Sequence, residues 1–204
     1  MPRPARGWAV AATAGLFSCV AGETLVSVLR VMSGHLVPDW AHRAERGDDV
    51  GLVFALGFTW SALGVAATWA LSAFAFLGWL FRAVRFARSQ GLRLSSSPLG
   101  AVVCWFIPIV NLVRPYDVVR SLCRVSRSAG GAGDGDWVGR RSWLWPVWWW
   151  TWLGTVLLRQ LSWSEDGAKA ALWMEVAGLF CATAAASCAA TIVWAVQGFQ
   201  DVLA

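Results

Sequence analysis

The chain has 204 residues, of which 57% are hydrophobic even without counting glycine and 14% are charged, and its formal net charge is +5. Ordinary soluble domains are less apolar and carry about 25% charged residues. This composition excludes disordered, fibrous and small disulfide-rich proteins. It also disfavours a soluble enzyme, because a chain of this size cannot hide so much apolar surface from water. We therefore predict an all-α, polytopic membrane bundle that forms a single membrane domain over residues 1–204.

Four stretches meet the requirement for a spanning helix, which is about 20 mostly apolar residues. In chain order they are Trp8–Met32, Val50–Phe81, Trp143–Leu158 and Ala170–Val196. A fifth stretch, Leu99–Val113, is interrupted by Pro108. As a helix it would reach roughly 22 Å, which is less than the hydrocarbon core of about 30 Å.

The loops around this fifth stretch are strongly basic. Arginines precede it at positions 82, 85, 88 and 93 and follow it at positions 114, 120, 124, 127, 140 and 141. The positive-inside rule places both loops in the cytoplasm. We therefore expect four spans, both termini in the cytoplasm, and a short re-entrant or in-plane segment broken at Pro108. The alternative is five spans, with one arginine cluster outside.

Residue patterns predict two further segments on the cytoplasmic side. Residues 114–127 predict an amphipathic helix that is apolar along Val118, Val119 and Leu122, and a basic helix of this kind usually lies at the membrane interface. Residues 126–142 are rich in glycine and predict a flexible cytoplasmic linker. The tryptophan run in residues 143–152 is typical of an anchoring belt at the membrane surface.

Four charged residues lie inside the predicted spans, where a charge is costly and usually faces the bundle interior. Glu23 and Arg30 are seven apart on the first span, Arg159 ends the third, and Glu175 lies near the start of the fourth. The predicted topology brings two acids and two bases to a similar depth. They predict either interhelical ion pairs that hold the bundle together or a polar pocket near Glu23 and Glu175.

Residues 79–126 resemble the bacterial integral membrane family named domain of unknown function 4328. The family pattern has W-L-x-R-A near a helix end, then S-P, then W-F-I-P-I-x-N-L-x-R-P-Y. The matching positions are Trp79, Leu80, Arg82, Ala83, Ser97, Pro98, Trp105, Phe106, Ile107, Pro108, Ile109, Asn111, Leu112, Arg114, Pro115 and Tyr116. The resemblance implies a helical membrane protein and supplies no activity.

The motif also has a physical interpretation of its own. Pro108 and Pro115 break the helix on both sides of Asn111, which frees backbone carbonyls that need hydrogen-bond donors. The Asn111 side chain and the Arg114 guanidinium could close this turn locally. Together with Tyr116 they could instead hold a lipid headgroup or a small ligand.

The sequence has no motif of a catalytic, cofactor or metal site. Because the basic segments adjoin membrane helices, we expect anionic lipid as their partner and not nucleic acid. The leading hypothesis is a non-enzymatic scaffold or regulatory subunit that binds lipid, a membrane protein or a second copy of itself. One alternative is a small transporter or channel subunit with a site at Asn111–Tyr116, and another is a membrane-embedded enzyme.

The predicted topology can be tested with single cysteines at Ser89 and Ser128 in a cysteine-free background. Both positions are expected to react with an impermeant thiol reagent only after the membranes are opened, because both lie in cytoplasmic loops. Labelling of intact cells and of opened membranes is compared. Reaction of one position in intact cells would mean that residues 99–113 cross the membrane.

Overall fold

The helices of the computed structural model are described over residues 6–36, 40–129, 143–164 and 168–203. All regular structure in these four ranges is helical, which confirms the all-α prediction. The elements are α1 (Arg6–Leu36), α2 (Trp40–Glu45), α3 (Asp49–Ser89), α4 (Pro98–Val103), the 3-10 helix η1 (Val110–Leu112), α5 (Arg114–Ala129), α6 (Leu144–Ser164) and α7 (Ala168–Val202).

Three of the described helices are long and apolar enough to cross a membrane. They contain the segments Arg6–Leu29, Asp49–Ser89 and Leu172–Val202. The remaining predicted span corresponds to α6, which has 21 residues and does not belong to these three. It is rich in tryptophan, whose indole N–H makes the side chain only partly apolar.

Helix α3 is the longest element, with 41 residues, or about 62 Å at the usual rise per residue. Its N-terminus is capped by Asp48, whose carboxylate accepts a hydrogen bond from the Val50 N–H at 2.9 Å. The Arg43 guanidinium also donates to Asp48 at 2.9 Å, and this hydrogen bond holds the pKa of the carboxyl below its usual range. The helix ends before Gly91, which adopts a positive φ of 77°.

Burial is unequal along α3. Its C-terminal part enters the core through Trp79, Leu80 and neighbouring residues. Farther toward the N-terminus, large apolar side chains such as Trp60, Leu71 and Phe74 are exposed, and hardly any of this apolar part of the helix is buried inside the protein. Large apolar surfaces of this kind mark contact with a membrane or another protein.

The four long helices form a row in the order α3, α1, α7, α6, and each packs against the next. Helices α1 and α3 run antiparallel. They approach so closely at Gly15 that a Cβ on this residue would lie 2.9 Å from the Ser72 Cα. Nearer the N-terminus of α1, the Trp8 ring packs against Gly78 of α3, where any side chain would take the space of the ring. Helices α3 and α6, at the two ends of the row, do not pack together along their lengths.

Helix α5 packs against α3, α7 and α6 at the end of the bundle where α3 ends. Its predicted apolar side is buried, with Val118, Val119 and Leu122 each no more than 2% exposed. The apolar side of α5 therefore packs inside the protein, and the position of this helix at the membrane interface stays a prediction. Cys123 is buried with it, and burial raises the pKa of the Cys123 thiol well above its ordinary value.

The tryptophan run also differs from its prediction as a surface belt. Trp145, Trp148 and Trp149 are buried in the core, while Trp143 and Trp150 are exposed. The predicted linker at residues 126–142 begins inside helix α5, which continues to Ala129. Residues 130–142 lie outside the described ranges.

Candidate functional site

The family motif folds into a broken helical segment between α3 and α5. Helix α4 begins at Pro98, and its N-cap Ser97 accepts a hydrogen bond from the Gly100 N–H at 3.0 Å. It ends at Val103, and turns follow until η1. Pro108 lies in these turns. A helix does not continue through it, because proline cannot donate the helical hydrogen bond and its ring clashes with the preceding turn.

Trp105 fixes this segment between α3 and α6. Its ring meets Phe76 of α3 edge-on at a centroid distance of 5.5 Å. On the α6 side it meets Trp152 at 6.0 Å and Trp149 at 6.4 Å, both nearly perpendicular. Each such aromatic pair contributes about 0.5–1.5 kcal/mol beyond burial. The segment thus fills the gap between the two outermost helices at this end of the bundle.

The three motif residues predicted to hold a ligand lie on η1 and the first turn of α5. Arg114 is exposed, Asn111 and Tyr116 are partly buried, and the Arg120 guanidinium lies 6.0 Å from the centre of the Tyr116 ring. The Asn111 side-chain oxygen is buried and has no hydrogen-bond partner among the described residues. This side chain therefore does not close the turn through its carbonyl group.

The surface around the motif is strongly basic, and we call it the basic end. Within the motif region, residues 79–126, seven of the arginines that the structure describes are exposed: Arg82, Arg85, Arg88, Arg93, Arg114, Arg120 and Arg124. Among the described residues, two acids are exposed at the same end, Asp117 and Asp201. The motif segment between the arginines presents apolar side chains, and Leu99, Phe106 and Ile109 are each at least two-thirds exposed. Basic and apolar surfaces thus adjoin.

The other end of the gap between α3 and α6 is an open cleft with a polar floor. At its centre lies Glu23 of α1, whose side chain is only 3% exposed. The Trp69 indole N–H of α3 donates to the Glu23 carboxylate at 2.6 Å. Arg159 of α6 donates to the same oxygen at 2.8 Å. One carboxylate thus connects three helices, including the two that do not pack together.

Glu175 completes the floor from α7. Its carboxylate accepts a hydrogen bond from the Ser27 hydroxyl of α1 at 2.8 Å. The structure therefore brings Glu23, Arg159 and Glu175 to one cleft. Arg30 lies on α1, but its side chain is not among those that the structure describes.

Two residues that donate hydrogen bonds to the acids of the cleft were not singled out by the sequence. Ser27 lies four residues after Glu23, so helical periodicity places it on the same face of α1. Trp69 lies within a long uncharged stretch, where no local pattern distinguishes it from the other aromatic residues. Its role depends on the packing of α3 against α1.

The cleft has a volume of about 740 Å³. Polar groups of Glu23, Ser27, Thr155, Arg159, Gln160 and Glu175 line it together with apolar side chains of α1, α3, α6 and α7. Pockets of roughly 300–1,000 Å³ with a few convergent polar groups are typical of small-molecule sites.

The chain belongs to the family described as Domain of unknown function (DUF4328), which matches residues 41–201. This confirms the resemblance that the motif indicates. A search of curated proteins and a search of solved structures found no match to the chain. The matched range includes the basic end and every described helix except α1, the first residue of α2 and the last residue of α7.

Removing Arg159 tests whether the Glu23 ion pair stabilises the bundle. The Arg159→Met variant is expected to lose about 1–3 kcal/mol of unfolding free energy, because the buried Glu23 carboxylate is left without its guanidinium partner. This is less than for a fully buried pair, since the Arg159 side chain is 47% exposed. Denaturant unfolding in detergent micelles measures the change.

The Glu23→Gln/Arg159→Met double variant is expected to recover part of this loss, because it also removes the carboxylate that Arg159→Met leaves unpaired. Arg93→Met, which changes an exposed arginine at the basic end, is the matched control and should unfold like the parent protein. If the loss of unfolding free energy in the double variant equals the sum of the losses in Glu23→Gln and Arg159→Met, the two groups do not interact.

Proposed function

We propose that this chain is a multi-pass protein of the bacterial cell membrane that crosses the bilayer four times, with α1, α3, α6 and α7. The exposed apolar surface of α3 supports this proposal, because large apolar side chains such as Trp60 and Leu71 would otherwise contact water. Helix α6 supports it by its length of 21 residues, which corresponds to about 31 Å. Both termini would then lie in the cytoplasm, on the side of the basic end.

The motif segment in this proposal enters the membrane from the cytoplasm and returns to it. Helix α4 has six residues, or about 9 Å, which is too short to cross a hydrocarbon core. The arginines before and after the segment lie at the same end of the bundle. The contacts of Trp105 with α3 and α6 satisfy the requirement that a broken helix at membrane depth be covered by protein.

The protein acts, in this proposal, as a non-enzymatic scaffold or regulatory subunit that holds anionic lipid at the basic end. The observation that carries it is the set of seven exposed arginines around an apolar segment, against two exposed acids among the described residues of this end. Each arginine near an anionic leaflet contributes about 1 kcal/mol of attraction. Ordered lipid at this end would make the surface selective for a membrane protein partner or a second copy.

Arg114 is the arginine that we assign to a lipid phosphate. It begins α5 directly after η1, next to the exposed apolar side chains of the segment. A lipid could therefore place its phosphate on the guanidinium and its chains against the apolar surface. Asn111 and Tyr116 would border the headgroup.

One observation favours the alternative of a small transporter or channel subunit. The buried side-chain oxygen of Asn111 has no partner among the described residues, and transporters often place substrates at helix breaks with free polar groups. In this alternative a substrate with a hydrogen-bond donor would occupy the break. The basic end gives the lipid-binding proposal the broader support.

The lipid proposal is tested by the thermal stability of the purified protein with added lipid. Phosphatidylglycerol is expected to raise the melting temperature more than phosphatidylcholine does, because only an anionic headgroup gains from the arginines. The Arg114→Gln/Arg120→Gln variant is expected to lose most of this difference.

Arg46→Gln is the matched control, since Arg46 is exposed at the opposite end of the bundle, between α2 and α3. It should keep the full response to phosphatidylglycerol. Equal stabilisation by both lipids, or an equal loss in the control, would refute lipid binding at the basic end.

A further inference from the structure

The outward side of the motif segment, residues 98–113, is apolar. The inward side packs on the bundle, where Ala101 and Cys104 are buried and Trp105 lies between α3 and α6. On the outward side Phe106 is 71% exposed and Ile109 is 83% exposed. The exposed large apolar residues include Leu99, Val103, Phe106, Ile109, Leu112 and Val113. Such a surface marks contact with a membrane or another protein, and in the proposed topology it contacts lipid.

The segment lies shallow in the membrane, close to the level of the arginines. Its Trp105 ring meets Phe76 of α3 at a centroid distance of 5.5 Å. Arg82, the first arginine of α3, follows Phe76 by six residues, which corresponds to about 9 Å along the helix. The segment itself continues directly into Arg114. This depth agrees with the range of about 5–10 Å at which apolar helix faces insert at the boundary between headgroups and acyl chains.

At the opposite end of the bundle, the described residues add nothing comparable to the four proposed spans. The gap between α3 and α6 is an open cleft there. Helix α2 packs against α3 at that end, but it exposes the polar side chains of His42 and Glu45, which are 73% and 76% accessible. Such side chains belong in water and not in hydrocarbon. The motif segment therefore widens the apolar part of the protein at one membrane surface.

This asymmetry couples the protein to the shape of the bilayer. Large apolar side chains at the boundary of headgroups and acyl chains push apart the headgroups of the leaflet that they enter. The free-energy cost is lower where those headgroups are already farther apart, as in the convex leaflet of a curved bilayer. The binding of interfacial apolar helices depends on curvature for this reason.

We propose that the motif segment is a shallow wedge that makes this protein prefer membrane whose cytoplasmic leaflet is convex. The partner of its outward side is a lipid leaflet with widely spaced headgroups. Arg82 and Arg114 hold the segment at the level of the lipid phosphates. The wedge rests on the topology in the proposed function, and it does not depend on a preference for anionic lipid.

Narrow tubes pulled from giant vesicles of phosphatidylcholine test the wedge, because they compare curved with flat membrane of one composition. The full-length protein carries a fluorophore on Ser89→Cys, at an exposed position near the basic end, in a cysteine-free background. An impermeant quencher separates molecules whose basic end faces outward, in the convex leaflet of the tube, from those whose basic end faces the lumen. The outward molecules are expected to be at least about twofold enriched on the tube, and the inward molecules are expected to be depleted.

Two double variants locate the effect. Phe106→Ala/Ile109→Ala removes two highly exposed side chains of the segment and is expected to abolish most of the enrichment. Leu63→Ala/Leu71→Ala is the matched control, because it shortens side chains of α3 that are 55% and 69% exposed but lie farther from the arginines. The control should sort between tube and flat membrane like the parent protein.

Contrary results overturn the wedge in recognisable ways. Equal enrichment of outward and inward molecules, or none, would show that the protein does not sense the sign of curvature. Unchanged enrichment in Phe106→Ala/Ile109→Ala would place the effect elsewhere in the protein. Sedimentation in detergent micelles tests the other occupant of the surface. A parent dimer that becomes a monomer in this variant would show that a second copy covers the segment.

Tubes that contain phosphatidylglycerol separate the wedge from the lipid proposal. Enrichment in phosphatidylcholine, together with equal thermal stabilisation by both lipids, would support the wedge and refute selective binding of anionic lipid. Enrichment that requires phosphatidylglycerol would assign the sorting to the arginines and refute the wedge. Thiol labelling of Ser89→Cys or Ser128→Cys in intact cells would refute the topology on which the wedge rests.

Discussion

A carboxylate buried in an apolar bundle has to be compensated, and the Glu23 carboxylate is compensated from two other helices. Trp69 of α3 and Arg159 of α6 both donate to it, at 2.6 and 2.8 Å. These helices lie at the two ends of the row and do not pack together along their lengths. The requirement to satisfy one charge therefore fixes the distance between them and keeps the cleft polar.

The two ends of the same gap are closed by different chemistry. At the basic end the aromatic rings of Trp105, Phe76 and Trp149 fill it with apolar contacts. At the other end the ion pair of Glu23 and Arg159 crosses the gap, and the rest of the gap stays open as the cleft. One end is thus filled by side chains and presents a charged surface to its surroundings, while the other remains an open polar cleft.

Much of the architecture follows from local sequence, and the site depends on packing. Apolar runs, the proline at position 108 and the arginine clusters predict the helices, the broken segment and the basic surface, because each acts through its nearest neighbours. The buried side of α5 could not be predicted, since Val118 and Leu122 suit a membrane interface and a protein core equally well. The Trp148 and Trp149 rings pose the same ambiguity. Trp69 joins the site only because α3 packs against α1.

The most direct measurement is the NMR resonance of the Trp69 indole N–H in ¹⁵N-labelled protein, assigned with a Trp69→Phe variant. A short hydrogen bond to a carboxylate shifts such a proton strongly downfield. The structure predicts that Glu23→Gln moves this resonance upfield, whereas Asp201→Asn leaves it in place. A Trp69 resonance that does not respond to Glu23→Gln would show that the indole and the carboxylate are apart, which would contradict the shared role of Glu23 in joining α3 to α6.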